Sequence, residues 1–315
     1  MSPLTRGEWR GALADVLEND ELRVVVLPEH GARLASVYAR RSGREWLQAP
    51  RADVLGPPAP SGSVYTDTDH FGWDEMFPTV DQCVVAAPGG GMQVLPDHGE
   101  FWNRTWERLD APGEQGEGGD VLTHAIDSTL FPCRLVRRLS LVGRALRLEY
   151  ALSSCALSPF RYLWAAHPQF VCAGGTTLAI EPTPARLIDV TACDTVAEVP
   201  ITGPLSVEDD LAPGTDAMLY VPPENSARAA RLDAADGAWL RVSWHPDALA
   251  YLGIWLDRGY RTTGSVGAVE PTTAYYDSLA RAERLGRAAV LEPGETRRWW
   301  LTCEVGERGD SCTNA

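Results

Sequence analysis

Leu146-Arg-Leu-Glu-Tyr-Ala-Leu152 alternates: Leu146, Leu148, Tyr150 and Leu152 stand on one side of an extended chain, Arg147 and Glu149 on the other. A period of two sends successive side chains to opposite faces, as an antiparallel strand between a core and water requires. Segments of the same kind recur at residues 21–27, 33–41, 101–109, 121–130, 133–142, 161–171, 239–244, 251–256 and 297–305. Turn residues separate them: Pro-Gly-Gly-Gly at 88–91, a Gly- and Glu-rich run at 113–119, Ala-Gly-Gly at 173–175 and Pro-Gly-Glu at 293–295. Helical spacing is scarce. Its best stretch, Thr273 to Leu285, carries Tyr276, Leu279, Ala280 and Glu283 three or four apart, with Thr272 as N-cap. Many strands, few short helices and no long linker or internal repeat predict a large antiparallel β-sandwich, a single domain over residues 1–315 with its core at about 17–305. The acidic segment 205–216 reads as a surface loop.

Composition limits the partners. With 44% hydrophobic and 23% charged residues the chain can bury a sizeable core. A net charge of −15 opposes long-range approach to nucleic acid or an anionic membrane surface. No run nears the ~20 apolar residues of a membrane helix, and residues 1–20 lack the apolar centre of a signal peptide, so a cytoplasmic protein, monomeric or homodimeric, is expected. Seven cysteines, odd in number and without CxxC spacing, read as reduced and mostly buried thiols.

Three blocks concentrate chemistry. In His70-Phe-Gly-Trp-Asp-Glu-Met-Phe-Pro78, Asp74 and Glu75 lie among Trp73, Met76 and Phe77, where a carboxylate needs a donor or a ligand; Asp74 either lines a binding edge or caps a turn. In Leu95-Pro-Asp-His-Gly-Glu-Phe-Trp-Asn-Arg-Thr-Trp106, residues 98, 100, 102 and 104 share one face if 99–106 is extended, which would make His98, Glu100, Trp102 and Arg104 a polar wall. The same residues do not make a metal site, since no HxH pair accompanies His98, Glu100 and His70. In Tyr162-Leu-Trp-Ala-Ala-His-Pro-Gln-Phe170, His167 interrupts an apolar strand; a lone histidine there is ordinarily a satisfied core residue.

Taken in order, these pieces resemble the aldose 1-epimerase (galactose mutarotase-like) family over roughly Leu17 to Val305. The carriers are Leu17 to Val37 with Gly43-Arg-Glu-Trp-Leu47, the block His98-Gly-Glu-Phe-Trp-Asn-Arg-Thr-Trp-Glu107, His167, Val266-Gly-Ala-Val-Glu-Pro271, and Leu291-Glu-Pro-Gly-Glu-Thr296 followed by Trp299-Trp-Leu-Thr302. The Asn-Arg pair that precedes the family's first histidine has no counterpart, and Gly72-Trp-Asp-Glu-Met-Phe-Pro78 fills the region instead.

The resemblance implies the galactose mutarotase-like sandwich and interconversion of the anomers of an aldose without a cofactor. It implies Glu270 as the base that takes the C1 hydroxyl proton and His167 as the acid that protonates the ring oxygen. His98, Arg104 and Asp216 would hold sugar oxygens, with Trp73 or Trp164 stacked on the pyranose and Asp74 at the binding edge. Two other functions fit the same residues: a carbohydrate-binding or regulatory protein without turnover, and a glycoside-cleaving enzyme pairing Asp74 or Glu75 with Glu270.

Overall fold

The computed structural model describes residues 4–109, 115–116, 119–192 and 196–311. Leu146, Leu148, Tyr150 and Leu152 are all buried while Arg147 and Glu149 face water, so the alternation does mark an inward and an outward face. Their strand, Ala145–Ser154, lies inside a nine-stranded antiparallel sheet between Thr296–Glu307 and Cys133–Val142. A twelve-stranded antiparallel sheet opposes it. In spatial order, its middle runs Arg33–Ala39, Trp73–Met76, Ala165–Val171, Ser265–Thr272, Tyr251–Arg258 and Asp216–Tyr220. Apolar side chains of both sheets, Val24, Trp73 and Phe170 from one and Leu139, Leu148 and Leu301 from the other among them, meet in one continuous cluster. This is the expected β-sandwich, arising because each sheet can bury an apolar face only against the other. No helix among the described residues is long and apolar enough to cross a membrane.

Polar ties also cross between the sheets. Glu75 accepts from Arg137 Nη1 and from the Tyr150 hydroxyl, both at 2.8 Å, and all three side chains are buried. Asp15 meets His124 Nε2 at 3.0 Å, again fully buried. Charge so deep is tolerated only when it is paired and hydrogen-bonded.

Several expected elements change. The strand at 101–109 shrinks to Glu107–Arg108 because the Glu100 carboxylate pulls the preceding chain into a loop. It accepts from the backbone N–H and hydroxyl of Thr129, from Leu130 N–H, from Ser128 Oγ and from Arg104. Residues 98 to 104 therefore share no strand face. The segment 161–171 divides into Phe160–Tyr162 and Ala165–Val171, with Trp164 N–H diverted to Thr273 Oγ1. The helix reduces to Leu279–Arg284, capped by Ser278 rather than Thr272; Tyr276 has φ +69°, which no right-handed helix admits. The 205–216 loop contains a short strand, Leu205–Ser206, and one turn of helix, Val207–Asp210. Of the run at 113–119, residues 113, 114, 117 and 118 lie outside the described residues, as do Cys193 and Cys312; Cys83, Cys133, Cys155, Cys172 and Cys303 are free thiols.

Candidate active site

The cavity lies on the face of the twelve-stranded sheet turned away from the sandwich core, and strand register builds its floor. Pairing of Ala165 with Thr272 and of Gln169 with Ala268 sets His167 opposite Glu270. On its other side His167 pairs with Asp74, and Glu270 pairs with Gly253. One row across four adjacent strands thus reads Asp74, His167, Glu270, Gly253. Cross-strand neighbours stand close enough to interact, and His167 Nε2 comes to 3.6 Å from Glu270 Oε1. The absence of a side chain at Gly253 lets Met218 and Tyr220 close over the end of the row: a Cβ there would meet Met218 and the Tyr220 ring at 2.9 and 3.2 Å.

Loops complete the walls. The single turn Tyr65–Asp67 places the Tyr65 ring flat on His98, with centroids 3.9 Å apart and planes 7° from parallel. The Tyr65 hydroxyl reaches Asp74 Oδ2 at 2.7 Å and His167 Nδ1 at 3.3 Å. His98 sits in a left-handed turn, φ +57°, with Nδ1 2.9 Å from Asp97 Oδ1. Trp255 presents a half-buried indole 5.9 Å from the His167 ring, with Nε1 3.4 Å from Asp216 Oδ2. The enclosed volume is about 370 Å³, within the usual range of small-ligand pockets.

Burial sets the electrostatics. It pushes the Glu270 carboxyl well above the usual range, with the charge of Asp277 adding to the shift. It holds the His167 imidazolium well below its usual range, and positive charge on His98, His70 and Arg33 works the same way. Asp277, half-buried and facing Asp81, is raised to about 7, desolvation being the larger cause and the charge of Asp81 the next. His70, buried and near His98 and Arg33, falls to about 4. The His167–Glu270 couple is therefore most stable as two uncharged groups, with its proton on the carboxyl.

Of the residues singled out from the sequence, His98, His167, Asp216 and Glu270 line this one cavity. Trp73, Trp164, Arg104 and Asp74 do not, for identifiable reasons. Trp73 points to the opposite face of its strand and packs edge-on against Phe170 in the core. Trp164 is buried against Tyr150 and Trp299. Arg104 is spent on Glu100 at 2.7 Å and the Asp127 carbonyl at 2.9 Å. None of these can stack on or grip a sugar in the cavity. Asp74 stands behind the lining, bound to Arg33 Nε at 2.6 Å and to Tyr65. Glu75 turns into the sandwich core, so neither acid can face Glu270 across a glycosidic bond, and the glycoside-cleaving alternative loses its carboxylate pair.

Tyr65, His70, Trp255, Arg261 and Asp277 also line the cavity or its rim, and none was identified as a site residue from sequence. Trp255 carried a weak signal: it is the one Trp in the strand Tyr251–Arg258 and stands two residues before Asp257. Tyr65 carried none, being in a loop with no periodicity. Among the described residues, no group of three or more His, Cys, Asp or Glu is arranged to hold a metal ion.

No protein-family model matches the chain, and no curated protein matches it. Solved structures do. The Slr1438 protein from Synechocystis sp. is 19% identical with a TM-score of 0.73, the match covering 94% of this chain and 96% of that one. The galactose mutarotase related enzyme from Lactobacillus acidophilus is 15% identical with a TM-score of 0.68, over 96% and 100% of the two chains. A galactose mutarotase-like protein from Clostridium acetobutylicum is 13% identical with a TM-score of 0.73, over 97% and 99%. The fold is galactose mutarotase-like, as the sequence resemblance implied.

Proposed function

We propose that this protein is an aldose 1-epimerase-type isomerase, exchanging the α and β anomers of a neutral aldose in the cavity between the Tyr65 turn and the Trp255 strand. The observation that carries the reading is a buried imidazole and a buried carboxyl facing each other at 3.6 Å on the floor of a pocket of sugar-ring size. Anomer exchange needs one proton removed from the C1 hydroxyl and one delivered to the ring oxygen. The C1–O5 bond then breaks, the aldehyde turns about C1–C2, and reclosure returns both protons. A couple that holds one proton does this without net transfer. The group lacking the proton takes the hydroxyl's, and the group carrying it gives it to the ring oxygen. The resemblance to the family implies Glu270 as base and His167 as acid. Burial, with cations around His167, favours the proton starting on Glu270. For the allocation with Glu270 as base, that proton first passes to His167 Nε2 across the 3.6 Å gap; ring opening then leaves Glu270 protonated and His167 neutral, and reclosure restores the carboxylate and the imidazolium. His98, Asp216 and Trp255 supply two hydrogen-bonding groups and a flat apolar face for the pyranose.

Polarimetry or NMR of freshly dissolved α-glucose and α-galactose tests the proposal. The protein accelerates the approach to equilibrium for at least one aldose, and His167→Ala and Glu270→Gln each lower the rate by ~10²-fold or more while the fold persists. Measurable sugar binding with no acceleration for any aldose would instead establish a carbohydrate-binding protein without turnover.

A further inference from the structure

The Tyr65 hydroxyl lies among three buried polar side chains, and its single hydrogen decides how each of them is used. Asp74 Oδ2 is 2.7 Å away, Gln169 Nε2 2.8 Å and His167 Nδ1 3.3 Å. Tyr65, Asp74, Gln169 and His167 are at most 4% exposed, so solvent does not compete for these contacts. A phenol can donate once and accept twice. The Asp74 carboxylate, held at Oδ1 by the Arg33 guanidinium at 2.6 Å, has no hydrogen to offer and takes the phenol's. The Gln169 amide gives a hydrogen to the phenol oxygen. Turning that amide over would set its carbonyl against an oxygen whose hydrogen is already committed to Asp74. The remaining lone pair of the phenol faces His167 Nδ1, which must therefore carry a hydrogen.

From this count we infer that Tyr65, backed by Asp74 and Arg33, is a positioning residue that holds His167 with its hydrogen on Nδ1, leaving Nε2, the nitrogen beside Glu270, as the atom that takes and returns the proton in the cavity. The same side chain steadies the second imidazole. Its ring stacks on His98, and its backbone N–H donates to Asp97 Oδ2 at 2.8 Å, while the other oxygen of Asp97 meets His98 Nδ1. One loop residue thus aligns both histidines, through its hydroxyl for one and its ring for the other. A Tyr65→Phe variant separates these roles, since it keeps the stacked ring and loses only the hydroxyl.

The assignment deepens the proposed anomer exchange and rests on it only for the catalytic consequence. Tautomers are read directly by ¹⁵N NMR of the full-length protein labelled at histidine, with His167 identified by its loss in His167→Gln; the chain has six histidines. In the unsubstituted protein, His167 Nδ1 shows the protonated-type shift throughout the pH range in which Asp74 is a carboxylate, a range whose lower end burial raises, whatever Nε2 does. In Tyr65→Phe the hydrogen moves at least partly to Nε2. An unprotonated Nδ1 in the unsubstituted protein, or an unchanged tautomer in Tyr65→Phe, overturns the inference whether or not any sugar is turned over. If an aldose is turned over, Tyr65→Phe lowers kcat roughly 10- to 10²-fold, less than removal of the acid or base itself, with KM within about twofold. A loss confined to KM would assign Tyr65 to sugar binding and overturn its positioning role.

Discussion

Burial of the Glu270 carboxyl has a cost in stability that pH exposes. The carboxyl is held protonated in the fold above the range where an unfolded chain releases the proton, so the stability it contributes is fully present below the ordinary carboxylate pKa of 4.5 and is lost as pH rises toward the folded value. Glu270→Gln has no proton to lose. The variant's advantage in unfolding free energy over the unsubstituted protein should therefore grow with pH from about 4.5 upward, by at most about 1.4 kcal/mol per unit. Urea unfolding at pH 4, 6 and 8 measures it, and an advantage that does not change with pH would mean that Glu270 is ionised in the fold. Arg137 gives the opposite case. Arg137→Met leaves Glu75 buried without its cation and should cost about 3–5 kcal/mol, while the double variant with Glu75→Leu recovers most of the loss because two apolar groups fill the same space between the sheets. A double variant no more stable than the single one would show that the bonds lost with the pair, from Tyr150 to Glu75 and from Arg137 to the Ala32 carbonyl, outweigh the relief of the unpaired charge.

At the scale of the element, the turn after Pro96 matters more than any strand near it. His98 and Gly99 both lie in the left-handed region, and a Cβ on Gly99 would come within 1.9 Å of the Phe77 carbonyl oxygen. Gly99→Ala combines a left-handed cost of ~1–2 kcal/mol with a backbone clash, so thermal unfolding should show a destabilisation larger than that cost alone, and the proposed mutarotation should fall because His98 moves with the turn. This turn also shows where pattern reading stops. Cys133–Val142 is observed at its expected bounds and Ala145–Ser154 extends past its expected segment by one or two residues at each end, because period-two burial is a local property of the chain. The expected strand at 101–109 shrank to two residues because a residue outside it, Glu100, found four donors on the 128–130 loop and a fifth in Arg104, and no window of sequence around Glu100 contains that loop.

Over the whole molecule, the charge of −15 acts on whatever approaches. A neutral aldose has no long-range stake in that field, so its kcat/KM should change by less than about twofold between 0.01 M and 1 M salt, over which the screening length falls from ~30 Å to ~3 Å. An aldose phosphate, repelled at low salt, should improve as salt rises; one that is preferred at low salt would point to a local cationic site and a different substrate class. Alternation along the chain, turn residues between the alternating segments and the order of His98, His167 and Glu270 were enough to determine a β-sandwich and the family it resembles, and to single out three side chains that the fold brings to one cavity. Which buried face each strand residue occupies was decided only in three dimensions. The strand Trp73–Met76 is buried on both sides, so the same alternation sends Asp74 behind the cavity and Trp73 and Glu75 into the core, and nothing local distinguishes the two. Tyr65 and Trp255 join the site for the same reason: a pocket is a set of contacts between distant segments, whereas periodicity records only that a side chain is covered, not by what.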